Sequence, residues 1–198
     1  MRAMEKASVA VAEEVVRLSE APVCCRSWHE LSGEASLEPG ARLRKFDLSN
    51  RGAVAEVPGG RSRYLLVALG EQPKPFGIEI FLERKAHSMF QWVMSAFVPR
   101  AQFLDADRQP IGEPLALDYR YDDRLSLSGF FATLEVTEPG AAYVALVADP
   151  SSYGKVVATD SRNSSGVMST DSSFAVIPME FDMAIMSSPQ GKLRLRIK

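Results

Sequence analysis

Between Phe97 and Pro110 the chain reads FVPRAQFLDADRQP, and this run leaves the backbone little choice. Phe97, Pro99, Ala101 and Phe103 occupy one side of a two-residue repeat, with Arg100 and Gln102 on the other, until an Asp- and Pro-rich corner ends it. The pattern predicts a half-buried strand running into a tight turn, with no room for a helix. Asp105 and Asp107 start as a calcium loop does, yet Gln109 and Pro110 stand where a further ligand and a glycine belong. A turn cap is the expected role of that pair.

The same repeat recurs along the chain. Phe76, Ile78, Ile80 and Leu82 alternate with Gly77, Glu79, Phe81 and Glu83, and Tyr143 to Ala148 is apolar on both faces, as a central strand is. Further strands are expected at 42–48, 63–69 and Met89 to Met94. Leu125 and Leu127 fall out of phase with Phe130, Ala132, Leu134 and Val136, and the slip at Gly129 predicts a bulge. The polar stretch from Ser151 to Ser173 reads as a loop, with a helical turn at Tyr153 to Ala158. Ile177 to Ile185 and Leu193 to Ile197 alternate on either side of a short connection, which predicts a hairpin with Arg194, Arg196 and Lys198 shielding its edge. Short strands separated by turns imply an all-β fold: an antiparallel β-sandwich, jelly-roll-like, spanning residues 22–198. Ahead of it, residues 1–21 form an amphipathic helix with Val11, Val15 and Leu18 on one stripe. Glu13 and Glu14 interrupt the apolar segment that a signal peptide needs, so this helix is expected to belong to a mature or trimmed protein.

A chain of 198 residues can bury a core without staples. Its 23 basic and 25 acidic residues are not segregated and sum to −2, which offers nucleic acid no electrostatic footprint. No apolar run reaches the roughly 18 residues a spanning helix requires, so no membrane span is expected. Cys24 and Cys25 lack CxxC spacing and read as two small thiols in a strand entering the core. With His29 and His87 as the only histidines and no GxSxG, HExxH or phosphate loop, no catalytic residue, metal or cofactor is expected.

Chemistry concentrates instead in DYRYDDR, Asp118 to Arg124. Tyr119, Tyr121, Asp122 and Asp123 are the candidate ligand-binding residues, because aromatic faces stack on sugar rings and carboxylates accept hydroxyl protons. Calcium held by Asp118, Asp122 and Asp123 is an alternative, as is a solvated turn with the tyrosines lying over the sandwich edge.

Five blocks carry a resemblance: Phe97 to Pro110, the Tyr119 and Tyr121 pair, Leu134 to Pro139, Tyr143 to Val147 and Gly191 to Lys198. Their order resembles the maltose operon periplasmic protein family, in which a strand of the form F-x-P-x-x-x-x-L-D leads to a tyrosine-containing corner and the domain ends in G-x-L-x-L-x-x-K. Here those positions are Phe97, Pro99, Leu104 and Asp105, then Gly191, Leu193, Leu195 and Lys198. The resemblance covers about the C-terminal two thirds and implies a periplasmic β-sandwich linked to carbohydrate uptake. The resulting expectation is a non-enzymatic binding or assembly accessory of the bacterial envelope, touching an oligosaccharide or an envelope protein. Two alternatives are a glycan hydrolase with paired carboxylates about 5 to 10 Å apart, and a structural module whose edge strand recruits another protein.

Overall fold

A computed structural model describes residues 2–49, 52–83, 85–86, 93–122, 129–170 and 173–198; residues 2–3, 86, 93, 122, 160–170 and 173–183 are described by their backbone course alone. The helix α1 (Arg2–Glu20) precedes the strands β1 (Val23–Cys25), β2 (Ala35–Ser36), β3 (Arg44–Leu48), β4 (Val54–Val57), β5 (Gly60–Ala68) and β6 (Phe76–Glu83). Then follow β7 (Lys85–Ala86), β8 (Val93–Ala96), β9 (Pro99–Leu104), β10 (Pro110–Leu115) and β11 (Arg120–Asp122). The last five are β12 (Gly129–Val136), β13 (Tyr143–Ala148), β14 (Val156–Thr170), β15 (Ser173–Ser187) and β16 (Gly191–Ile197). One sheet runs β1-β4-β5-β13-β9-β10 with β2 beside β5, a second runs β11-β12-β6-β16-β3, and a third runs β14-β15-β8-β7. Neighbours are antiparallel except β1 with β4, β2 with β5 and β15 with β8.

Alternation explains why the first two sheets stack. Leu65 and Val67 of β5, Phe103 of β9, and Val144 and Leu146 of β13 share one buried cluster with Ile78, Ile80 and Leu82 of β6, Phe130 and Leu134 of β12, and Leu193 and Leu195 of β16. Each such side chain contributes about 1.5–3 kcal/mol by leaving water. The fold is therefore an all-β sandwich. β9 departs from the half-buried strand its sequence predicts: Ala101 and Phe103 enter the inter-sheet core while Leu104 enters a second buried cluster, so both faces are covered. Gln102, only 1% exposed, is tolerated there because its amide donates to the carbonyls of Phe103 and Ile111. At the corner that follows, Asp105 Oδ1 accepts from the backbone N–H of Asp107 and Gln109, the turn cap expected of it.

Two expectations are corrected. β15 and β16 do not form a hairpin; β15 pairs with β14 and β8, and β16 lies between β6 and β3. Arg194 and Arg196 thus shield no edge: they bond Glu83 and Glu79 of β6, while Lys45 of β3 reaches Glu83 from the other side at 2.9 Å. Alternation reports which way a side chain faces, whereas the choice of neighbouring strand depends on residues far away in sequence. The stretch after Ser151 is a 3₁₀ turn at Pro150–Ser152 followed by β14, because pairing with β15 satisfies the backbone of even a polar strand. β12 pairs with β6 in unbroken register from Phe130 to Val136, and the slip expected at Gly129 turns on residues 123–128, which lie outside the described residues. Glycine is required at 129 for space, since a Cβ there would stand 2.6 Å from the Phe81 ring. Leu125 and Leu127 lie outside the described residues, as does the 89–92 part of the strand expected there.

The amphipathic stripe of α1 docks against the third sheet. Ala7 and Val11 are buried with Met186 of β15, Val15 packs beside them, and Leu18 is buried further along. Glu14, 3% exposed, sits in the same interface; Lys85 Nζ approaches its carboxylate at 2.9 Å and the Ser188 hydroxyl donates to it. Burial pushes that carboxyl pKa up, but bonds from Lys85, Ser188 and Gln190 outweigh burial and hold it below its ordinary 4.5. The Arg61 guanidinium caps the helix end through the Ser19 and Ala21 carbonyls. Among the described residues no helix is long and apolar enough to cross a membrane.

A carboxyl whose pKa falls on folding stabilises the fold fully above its ordinary 4.5 and loses that contribution as pH drops through the lower folded value. Glu14→Gln is expected to lower stability at neutral pH by about 2 kcal/mol in urea titration, and to flatten the loss of stability below pH 4.5. At Gly191, a Cβ would stand 2.6 Å from the Phe97 backbone nitrogen. Gly191→Ala is therefore expected to cost ~2 kcal/mol or more in the same titration.

Candidate functional site

Period-two geometry divides the DYRYDDR segment between two faces. Tyr119 and Tyr121 pack, partly buried, against the sandwich core. The Tyr119 hydroxyl donates to the Pro99 carbonyl at 2.9 Å, and burial pushes its phenol well above the ordinary 10. Tyr121 meets the Phe130 ring edge-on, centroids 5.4 Å apart. Asp118 and Arg120 occupy the opposite face, both strongly exposed, with Nε and Nη2 of Arg120 at 2.9 and 2.7 Å from Asp118 Oδ2. Asp122 pairs through its backbone with Gly129 at the end of β11; its side chain, and Asp123 altogether, lie outside the described residues. The tyrosines and the one described carboxylate are therefore not brought together on one face.

What the segment does build is one wall of a groove. Leu117, Asp118 and Tyr119 line it together with Val156, Val157, Ala158 and Thr159, and it is a shallow depression of about 410 Å³, open to solvent. Val156 and Val157 are exposed apolar side chains, 39% and 40% accessible, beside the Asp118 carboxylate and the exposed Thr159. A mostly polar lining that includes a carboxylate and a hydroxyl, with a small aliphatic share, suits a ligand rich in hydroxyl groups. The second wall was not legible because its residues read as loop; the signal that could have revealed it is the run Val156, Val157, Ala158, a short apolar step before the polar stretch.

Two further arrangements bear on chemistry. Cys24 and Cys25 are joined in a disulfide, in place of the two thiols their sequence suggests. Both sulfurs lie 3.7 Å from the Tyr64 hydroxyl, which also sits 3.2 Å from the backbone N–H and carbonyl of Ser32. His29 is exposed with Nε2 3.4 Å from the Ser27 hydroxyl, and His87 lies outside the described residues. Among the described residues no three His, Cys, Asp or Glu side chains are grouped as metal ligands.

Because the Tyr119 hydroxyl ties the corner to β9, Tyr119→Phe is expected to lower stability by about 1 kcal/mol. Tyr119→Ala, which also empties the ring's place, is expected to cost roughly 3 kcal/mol, both read from urea titration. Compared with family models, with curated proteins and with solved structures, the chain matches none.

Proposed function

We propose that the chain is a non-enzymatic accessory of the bacterial envelope that holds an oligosaccharide in the groove between Leu117–Tyr119 and Val156–Thr159. The observation that carries this reading is the open groove itself, whose mostly polar lining brings Asp118 and Thr159 together with the exposed Val156 and Val157, beside a backbone anchored by Tyr119. A sugar ring offers a C–H face to Val156 and Val157 and a hydroxyl to Asp118. The bonded Cys24–Cys25 pair supports an oxidising compartment such as the periplasm. The blocks that resemble the maltose operon periplasmic family point to the same location and to a link with carbohydrate uptake.

A second reading, an assembly module, draws on one separate feature. Among the described residues, β14 and β15 pair only with each other from residue 160 to 183, and a two-stranded ribbon of that kind is marginal alone. It is the natural place for another chain to add a strand.

Retention on immobilised maltodextrin or cell-wall glycan distinguishes them. The parent is expected to be retarded, and Asp118→Ala combined with Val157→Ala is expected to weaken retention about tenfold at unchanged thermal stability. Retention that is absent, or equal in the variant, removes the groove from the proposal and leaves the ribbon as the better candidate.

A further inference from the structure

We propose that Cys24–Cys25 is a thiol–disulfide exchange site with a defined polarity, open to a dithiol reductant at Cys24 and releasing Cys25 as the leaving sulfur. This goes beyond the groove and shares no residue with it. The two sulfurs, though adjacent in sequence, sit in different environments: Cys24 is exposed, whereas Cys25 is 2% exposed within a cluster containing Leu31, Ala55, Tyr64 and Leu66. β1 is the outer strand of its sheet, so nothing in that sheet covers Cys24 from the open side. The Cys24 sulfur is part-buried and the Cys25 sulfur buried, so an attacking thiolate meets Cys24 first, and attack there expels Cys25.

Tyr64 supplies what the buried leaving group lacks. Thiolate formation in apolar surroundings is unfavourable unless a donor is at hand. The Tyr64 hydroxyl, 6% exposed as a residue, lies 3.7 Å from Cys25 Sγ and equally from Cys24 Sγ and accepts from the Ser32 N–H, so its own hydrogen can turn from the Ser32 carbonyl to whichever sulfur leaves, while burial sets the polarity. Tyr64 is thus a positioning residue for the exchange.

The step balances as follows in bonds and electrons. One thiolate of the dithiol attacks Cys24 Sγ; a new S–S bond forms, the Cys24–Cys25 bond breaks, and its electron pair goes to Cys25 Sγ, which is then protonated. The second thiolate of the dithiol closes on the first sulfur and expels Cys24 as thiolate, which takes the other proton. The dithiol is oxidised to a cyclic disulfide by two electrons and the chain gains two thiols.

The full chain is incubated without denaturant with dithiothreitol or with glutathione, quenched by alkylation and mapped by mass spectrometry, while circular dichroism follows the fold. Dithiothreitol is expected to yield two alkylated cysteines in a folded chain. Glutathione is expected on Cys24 in about tenfold or greater excess over Cys25. In Tyr64→Phe the exchange is expected to slow about tenfold, and the Cys25 thiolate absorbance of the reduced chain to appear at higher pH. The proposal is overturned if the folded chain resists dithiothreitol, if glutathione divides evenly or favours Cys25, or if the chain carries two thiols that oxidised glutathione does not join. Should Tyr64→Phe fail to fold, the position of the glutathione adduct on the parent decides alone.

Discussion

Apolar side chains of β5, β9 and β13 interlock with those of β6, β12 and β16, and every other part of the molecule is hung on that layer. The third sheet reaches it through Ile185, which is fully buried in the same cluster, and α1 reaches the third sheet through Met186. Consecutive residues of one strand thus face two different cores. That is why β15 can join the sandwich to the helix without a separate linker.

Much of this architecture was legible from the repeat alone. β6, β9, β12, β13 and β16 stand within a few residues of where alternation placed them, and α1 buries the predicted stripe. Three things were not legible. Glu14 counted only against a signal peptide, whereas it is the polar pin of the helix interface, because Lys85 and Ser188 come to it from other elements. The partners of β16 could not be read, since Arg194 and Glu83 are 111 residues apart. β14 was hidden because a polar composition resembles a loop until a partner strand appears.

The candidate site shows the same division between local and long-range information. The clustering of Tyr119, Tyr121 and the aspartates was visible, but the strand geometry that sends tyrosines inward and Asp118 outward separates what the sequence lists side by side. Half of the groove comes from Val156 to Thr159, about forty residues onward. The disulfide is the opposite case: adjacency was plain, yet only the fold shows that one cysteine is buried and its neighbour an exposed residue.

The position of β16 has a consequence for how the molecule is made. Its seven residues separate β6 from β3, so during vectorial synthesis those two earlier strands have nothing between them until residues 191–197 clear the ribosome. Until then Ile78, Ile80 and Leu82 lack a neighbour on one side, and the nascent chain presents an open apolar edge of the kind that mispairs.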